Sequence, residues 1–514
     1  MTFLTHCAKL FKSSHELGEL LMKKALLRSL ICSLALTLSS LAFADVNATF
    51  DKIDLPSAKD SVMHPLDDNN EAWVAKWEMI KAAKETIYAD FFIIGNDIYG
   101  KAFLGLLLKK AEEGVKIKLM TDAFASYEKV LGIDVDYFHE LAANKNIEIR
   151  FYNRLGRRIL SGTFGMFTNA VASNHDKFLV IDEKYCLTGG RNIDFNYYAD
   201  VRDISAAWRD SDVYVESEVL AKEFIEKAFF PEFKLPRNKK IRKDFINFSS
   251  KRDDLMASVD AMDQWLNSDL VEMRPDATER YNTKLAKYAT EVMEFKSLSG
   301  YEKKFNIFES SFRGDLKILD KTSHLNRKDQ RNEITPSILE MIDAAEVEII
   351  IQNPYVILSK DVVEALARAQ ARGVEVILHT NSPLSSNHLQ TQALFIDQWN
   401  IYKEKLNGAR VFAYVGEQML HAKVFVFDRK VSIIGSYNLD NLSENINSEI
   451  VALIKSEELS KKVALDIEKD LDVSLELTAD ERIREESPFT MANVEKQKEI
   501  RKVLKYKKYI GKFI

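Results

Sequence analysis

The chain has 514 residues, 46% of them hydrophobic and 29% charged, and a net charge of −6. That length supports two or more domains with full cores, and the balance excludes both a disordered chain and one embedded in a membrane throughout. An acidic total also argues against a nucleic-acid substrate, which demands a basic surface.

From Met22 the sequence reads Met-Lys-Lys-Ala-Leu-Leu-Arg, then an apolar run from Ser29 to Leu41, then Ala42-Phe43-Ala44. This is the pattern of a secretory signal, with translation expected to start at Met22 and an uncleaved anchor as the alternative. Residues 1–44 carry five cations against two glutamates, so cleavage would leave −9. Cys186 would then be the only cysteine, which excludes an intramolecular disulfide. The expected location is outside the cytoplasm: periplasmic or secreted, with peripheral contact to a membrane.

Residues 45–72 read as a loosely packed polar lead-in. A helix pattern runs from Ala72 to Ala83, a strand from Thr86 to Ile94, and an amphipathic helix from Lys101 to Glu113, closed by Gly114. Val115 to Thr121 is the next strand, and this β-α-β rhythm predicts a parallel pair. Residues 73–215 form the first α/β unit. Within it Arg154, Arg157 and Arg158 read as solvated surface, with a lipid headgroup as the alternative.

Residues 216–330 change pattern. A basic run holds Arg237, Lys239, Lys240, Arg242 and Lys243, and helix-like segments cover Asp253–Leu266 and Thr278–Phe295. This is a connector with a helical insertion, its basic run read as solvated and alternatively as contacting anionic headgroups. In the second unit, 331–475, Met341-Ile342-Asp343-Ala344-Ala345 answers Met79-Ile80-Lys81-Ala82-Ala83, and the strand Glu348–Val356 answers Thr86–Ile94. The tail, 476–514, is basic. From Val494 onward it carries eight Lys or Arg against two Glu, with Ile500, Val503, Leu504 and Ile510 near helical spacing. Docking on its own domain is the preferred reading of that helix, a membrane surface the alternative.

The strongest signal is a twenty-residue skeleton that occurs twice, His175–Asp194 and His421–Asp440. In each copy a Lys follows the His by two residues (Lys177, Lys423), an Asp by seven (Asp182, Asp428), a Gly by fourteen (Gly189, Gly435) and an Asn by seventeen (Asn192, Asn438). Two copies in one register are far beyond chance. Side chains two apart on a strand share a face, so each His projects with its Lys. The aspartates have the opposite parity and read as turn or anchoring residues. Gly189-Gly190 and Gly435-Ser436 read as places where backbone approaches a ligand closely. Each copy then offers an imidazole, an ammonium and an amide, half of a phosphate site. Two related halves pack about a pseudo-two-fold axis, which predicts both histidines in one cleft. His379 falls opposite Met120 in the duplication, so it is no part of a doubled site. His64, His139, His324 and His388 read as ordinary polar positions.

These residues resemble the phospholipase D superfamily in its two-motif form. Asn438-Leu439-Asp440-Asn441-Leu442-Ser443, Asn447-Ser448-Glu449 and the aromatic pair Tyr197-Tyr198 are most similar to bacterial cardiolipin synthases of the C type. The resemblance implies an α/β fold of two pseudo-symmetric α/β/α lobes with mixed sheets and one catalytic cleft, and no cofactor or metal. It implies a monomer that acts on a glycerophospholipid at a membrane surface and binds no nucleic acid. It also implies that His175 becomes a covalent phosphohistidine and His421 is the general acid, roles the nearly symmetric residues alone do not rank. Lys177, Lys423, Asn192 and Asn438 then hold the nonbridging oxygens. Each histidine needs an acceptor on its far nitrogen. The resemblance gives Asp210 to His175, with Asp212 competing, and Glu449 to His421. The expected activity is that of a phospholipase D or a phosphatidyltransferase. A metal-independent exported nuclease of the same superfamily and a lipid-binding pseudoenzyme are the alternatives.

Overall fold

A computed structural model describes residues 45–125, 134–243, 250–386, 388–477 and 494–507; the signal segment lies outside them. The duplication seen in the sequence becomes one continuous sheet. In the first half its strands are β1 (Ser57–Leu66), β2 (Thr86–Phe91), β3 (Lys116–Asp122), β4 (Ile147–Tyr152), β5 (Lys177–Ile181), β6 (Tyr185–Gly189), β7 (Asp212–Glu216) and β8 (Lys239–Lys240). In the second half they are β9 (Phe312–Lys321), β10 (Glu348–Gln352), β11 (Glu375–Asn381), β12 (Arg410–Tyr414), β13 (Val424–Phe427), β14 (Val431–Gly435), β15 (Glu449–Lys455) and β16 (Ser474–Leu477). The spatial order is β16-β12-β11-β10-β13-β14-β15-β9-β1-β7-β6-β5-β2-β3-β4-β8. Read outward from the β1–β9 pair, the two halves repeat strand for strand. That pair is antiparallel and marks the pseudo-two-fold. The expected parallel pair is β2 with β3, matched by β10 with β11.

Two boundaries move. Residues 45–72 are no loose lead-in: Val46–Lys52 is a helix with Val46 and Phe50 buried, and β1 lies at the centre of the sheet. Likewise β9 is the first strand of the second lobe, although it falls within the 216–330 connector. Both strands carry many polar residues, so neither shows a clean apolar pattern. Lys317 of β9 donates to the carbonyls of Phe50, at 2.7 Å, and Ile53, at 2.5 Å, which ties the N-terminal helix down. The helical insertion is present as Arg252–Asn267 and Glu279–Val292, packed on the helix Ile98–Glu112 of the first lobe.

One face of each half-sheet is covered by that lobe's own helices. The other face is a shared core, with Phe178, Val180 and Val213 from the first lobe and Ile350, Val424 and Ile450 from the second. The C-terminal helix Val494–Lys505 docks on Leu389–Lys405, where Ile500 is buried against Ala393 and Lys507 pairs with Asp397 at 2.6 Å. Among the described residues no helix is long and apolar enough to cross a membrane.

Candidate functional site

Each motif hairpin is locked by its aspartate. Asp182 and Glu183 take φ of 50° and 52°, Asp428 and Arg429 52° and 50°. Two successive positive φ values build the turn that matches strand twist, and Asp tolerates that region better than most side chains. The Asp182 carboxylate accepts from the backbone N–H of Lys84, Glu85 and Thr86 at 2.7–2.9 Å. Asp428 does the same for Glu346, Val347 and Glu348. Both aspartates thus hold the start of the neighbouring strand, as anchors away from the reacting groups.

The strands then set the histidines at the carboxyl edges of β2 and β10, because Lys177 pairs with Phe91 and Val424 with Gln352. His175 and His421 are both buried. The chain crosses between lobes at these two points. His175 N–H donates to Ser448 O at 3.2 Å, and His421 N–H donates to Arg209 O at 2.7 Å. Segments 173–175 and 448, and 209 and 419–421, therefore run side by side across the pseudo-two-fold.

This crossing corrects the assignment of the orienting carboxylates. His175 Nδ1 lies 2.9 Å from both oxygens of Glu449, and His421 Nδ1 lies 2.6 Å from Asp210 Oδ2. Each imidazole is held by the opposite lobe, where the resemblance gave it a partner from its own. Asp212, the competing choice, is bound to Lys76 at 2.6 Å and touches neither histidine. Because Nδ1–H is committed to a carboxylate, Nε2 is the nitrogen whose lone pair faces a substrate.

The two carboxylates are set differently. Burial pushes Glu449 up, but His175 and the other donors outweigh it and leave Glu449 below its ordinary value. Those donors include the Ser436 hydroxyl at 2.5 Å and the Ser443 hydroxyl at 2.6 Å. Asp210 is raised by burial, which Lys423 and Arg191 offset only in part. Its backbone donor is Ser211 N–H at 2.8 Å.

The glycines also prove to serve the carboxylates. A Cβ on Gly190 would fall 2.0 Å from Asp210 Oδ1, and one on Gly189 2.0 Å from Asp212 Oδ1. A Cβ on Gly435 would meet the Ile450 carbonyl oxygen at 2.5 Å. The space glycine leaves is thus filled by protein, where sequence reading gave it to a ligand. Arg191 is fully buried and ties the following loop to the carbonyls of Leu66, Asp67 and Tyr197.

Lys177 donates to His175 O at 2.7 Å, and Lys423 lies against the His421 ring, 2.6 Å from Nδ1. Burial lowers Lys177 to about 7 and Lys423 to about 8, against the pull of Glu449 and Asp210. His175 is lowered by burial, partly offset by Glu449; His421 is lowered further by burial and by Lys423. Two imidazoles and two ammoniums feel one another in a desolvated space. An arriving anion relieves that crowding, so the site suits an anionic group.

Asn192 is buried. Its Oδ1 accepts from Ile93 N–H at 3.0 Å, and its Nδ2 donates to the Tyr197 hydroxyl at 2.8 Å. The Asn438 backbone N–H donates to the Ser443 hydroxyl at 3.2 Å. Three aromatic walls line the histidines, and of these only Tyr197 carried a signal in the sequence, as half of the pair Tyr197-Tyr198. Phe92 meets His175 edge-on at 5.2 Å, while Tyr197 and Trp208 flank His421, each at 5.3 Å. His388, read as an ordinary polar position, stacks edge-on with Tyr355 at 5.5 Å and stands within electrostatic reach of Lys423 and His421. It has no partner in the other half, so duplication was silent about it. His379 is pushed down to about 3 by burial between Gln352 and Ser474 and belongs to the scaffold.

The chain is similar to known proteins in sequence and in fold. A family model described as "Cardiolipin synthase, PLD-like domain" matches residues 77–227 and 338–471. The cardiolipin synthase of Clostridium perfringens strain SM101 is 25% identical over 406 residues, 78% of this chain and 68% of that one. Cardiolipin synthase A of Pseudomonas putida is 26% identical over 404 residues, 78% of this chain and 66% of that one. The crystal structure of the phosphatidylserine synthase of Haemophilus influenzae Rd KW20 superposes with a TM-score of 0.61 at 13% identity, covering 91% of this chain and 99% of that one.

Proposed function

Because the chain belongs to the phospholipase D-like domain family, we propose that it cleaves a glycerophospholipid phosphodiester and passes the phosphatidyl group to an alcohol or to water. The observation that carries this reading is the crossed pair of dyads, His175 on Glu449 and His421 on Asp210, each with a lysine at its side.

His175 Nε2 attacks phosphorus while the headgroup alkoxide leaves with a proton from His421 Nε2. The product is a phosphatidyl-histidine and a free headgroup alcohol. His421, now neutral, takes the proton of the incoming alcohol or water, whose oxygen attacks phosphorus and releases His175. Ionised Glu449 stabilises the positive charge that grows on His175 in the first step. His421 is easily deprotonated in the empty site, and the anionic substrate restores its proton. Lys177, Lys423, Asn192 and Asn438 donate to the nonbridging oxygens. Names of the relatives favour an alcohol that is itself a phospholipid headgroup, giving a cardiolipin.

The leader pattern at Met22–Ala44 supports an exported protein that meets its lipid at a membrane surface. Incubation of the purified chain with headgroup-labelled phosphatidylglycerol in mixed micelles tests the reading. Cardiolipin or phosphatidic acid is expected. Absence of turnover of any glycerophospholipid would overturn it.

A further inference from the structure

The two lobes place very different lengths of chain ahead of their histidines. Between β4 and His175 lie 22 residues, 153–174; between β12 and His421 lie six, 415–420. The extra chain forms a helical hairpin, Leu155–Thr163 and Phe167–Val171, that the scaffold itself does not need. Gly165 turns it at φ 72°. Arg158 roots it. Its guanidinium donates to Asp122 at 2.6 Å, Ala170 O at 2.9 Å and the Ser173 hydroxyl at 3.2 Å, two residues short of His175.

The rest of the hairpin is inside out for a soluble surface. Phe164 is 70% exposed, Ile159 69% and Phe167 56%, and Leu160, Met166 and Phe124 join them. Scattered single apolar side chains on a surface need no explanation, but six packed around one hairpin do. Beside them stands a cluster of arginines. Arg237 donates to the Ser161 hydroxyl at 3.0 Å, and its guanidinium is lowered first by burial and then by Arg157, Arg158 and Arg327 around it. Arg154, Arg157 and Arg327 are exposed. Among the described residues none of these three, nor Arg237, is paired with a carboxylate. On a chain of net charge −6 this is a local inversion of sign. Exposed apolar side chains with a cluster of arginines beside them match an anionic bilayer surface, hydrocarbon for the first and phosphate for the second.

We propose that the hairpin 154–171, with Phe124, Arg237 and Arg327, is a docking element that seats the carboxyl edge of the first lobe on an anionic phospholipid bilayer and so brings headgroups to His175. This rests on the lipid-substrate reading and adds to it the surface that meets the membrane.

The full chain is tested by flotation with phosphatidylcholine vesicles, with and without phosphatidylglycerol, and by turnover on vesicles and on a monomeric short-chain phosphatidylglycerol. The parent is expected to float only with the anionic vesicles. Phe164→Ser with Phe167→Ser should cut both flotation and vesicle turnover about tenfold or more while leaving short-chain turnover unchanged. Arg157→Glu with Arg327→Glu should weaken binding to anionic vesicles. Phe164→Trp, which keeps the patch apolar, should show a blue-shifted emission on those vesicles. Undiminished flotation of the serine variant overturns the proposal. So does a parent dimer that the serine variant dissolves, since the hairpin would then meet a second copy. If the parent floats but turns over no lipid, the enzymatic reading fails and the docking element stands.

Discussion

The two lobes share a strand order and differ in what fills it. Three aligned positions behind the histidines show this. Asp90 in β2 stands where Gln352 stands in β10, since Asp90 pairs with Phe178 and Gln352 with Val424. Asp122 ends β3 as Asn381 ends β11, and Asp176 follows His175 as Ala422 follows His421. The first lobe thus keeps buried carboxylates where the second is neutral. It also carries the hairpin, and it has Gly190 where the second lobe has Ser436. Duplication preserved the paired histidines, lysines and asparagines and released the parts around them, so a difference between the lobes marks a division of labour.

That division is tested most severely at the histidines. His175→Ala and His421→Ala should each lower turnover by about three orders of magnitude or more while the fold, read by circular dichroism, is kept. They should differ in what accumulates. With a substrate whose leaving group needs no proton, His421→Ala should build up a phosphatidyl-protein adduct on His175, visible by mass spectrometry of acid-quenched enzyme. His175→Ala should build up none. An adduct on His421 instead would reverse the assignment of the lobes.

A smaller asymmetry sits one shell out. Gly190→Ala places a Cβ against the Asp210 carboxylate and should displace it from His421. Loss of that orientation should lower kcat roughly ten- to a hundredfold. Ser436→Ala removes one donor from Glu449, which keeps the Ser443 hydroxyl and His175. Its kcat should fall only a few-fold. Equal losses would mean that the two carboxylates are equally constrained.

Where the lobes agree, equal effects are expected. Asp182→Ala and Asp428→Ala each strand three backbone N–H groups at the head of β2 or β10. Each should cost about 1–3 kcal/mol in urea unfolding with kcat of the surviving fold little changed. A large loss of kcat at full stability would make these residues more than anchors.

Much of this was legible in the sequence because it is written twice. The motif spacing gave the hairpins, the paired histidines and the anchoring aspartates, since strand parity alone separates Asp182 from His175 and Lys177. The segments 45–72 and 312–321 were missed because β1 and β9 are half polar, and only the completed sheet shows that they answer each other. The crossed dyads were missed for another reason. Glu449 is 274 residues from His175 and Asp210 is 211 from His421, so nothing local shows the exchange, and the resemblance is read half by half. The hairpin's Ile159, Leu160, Phe164 and Phe167 follow no spacing that sets an exposed patch apart from core, so only their exposure in the fold marks them.

The gentlest difference is in pH dependence. Burial raises Glu232 to about 7 and Asp320 to about 8, and both lie with Asp90 and Asp176 in the polar cluster behind His175. Away from that cluster, in the rest of the second lobe, Asp440 and Asp470 rise only to about 6. A carboxyl raised on folding holds its proton in the native state after the unfolded chain has lost it. Its stabilisation is therefore complete below about pH 4 and is lost as pH climbs through the folded value. Between about pH 6 and about pH 8 the loss comes from the cluster behind His175 together with Asp97 and Glu78, each raised by burial to about 7. The buried lysines act in the opposite sense, but only above about 7, the value to which Lys177 is lowered. Glu232→Gln keeps an acceptor for Ser323 N–H and removes the titration. The stability of this variant relative to the parent should rise by about 1 kcal/mol or more between about pH 5 and about pH 8, measured by urea unfolding. A difference that stays flat across that range would place the pH-sensitive acids elsewhere and leave the carboxylates behind His175 as fixed scaffold.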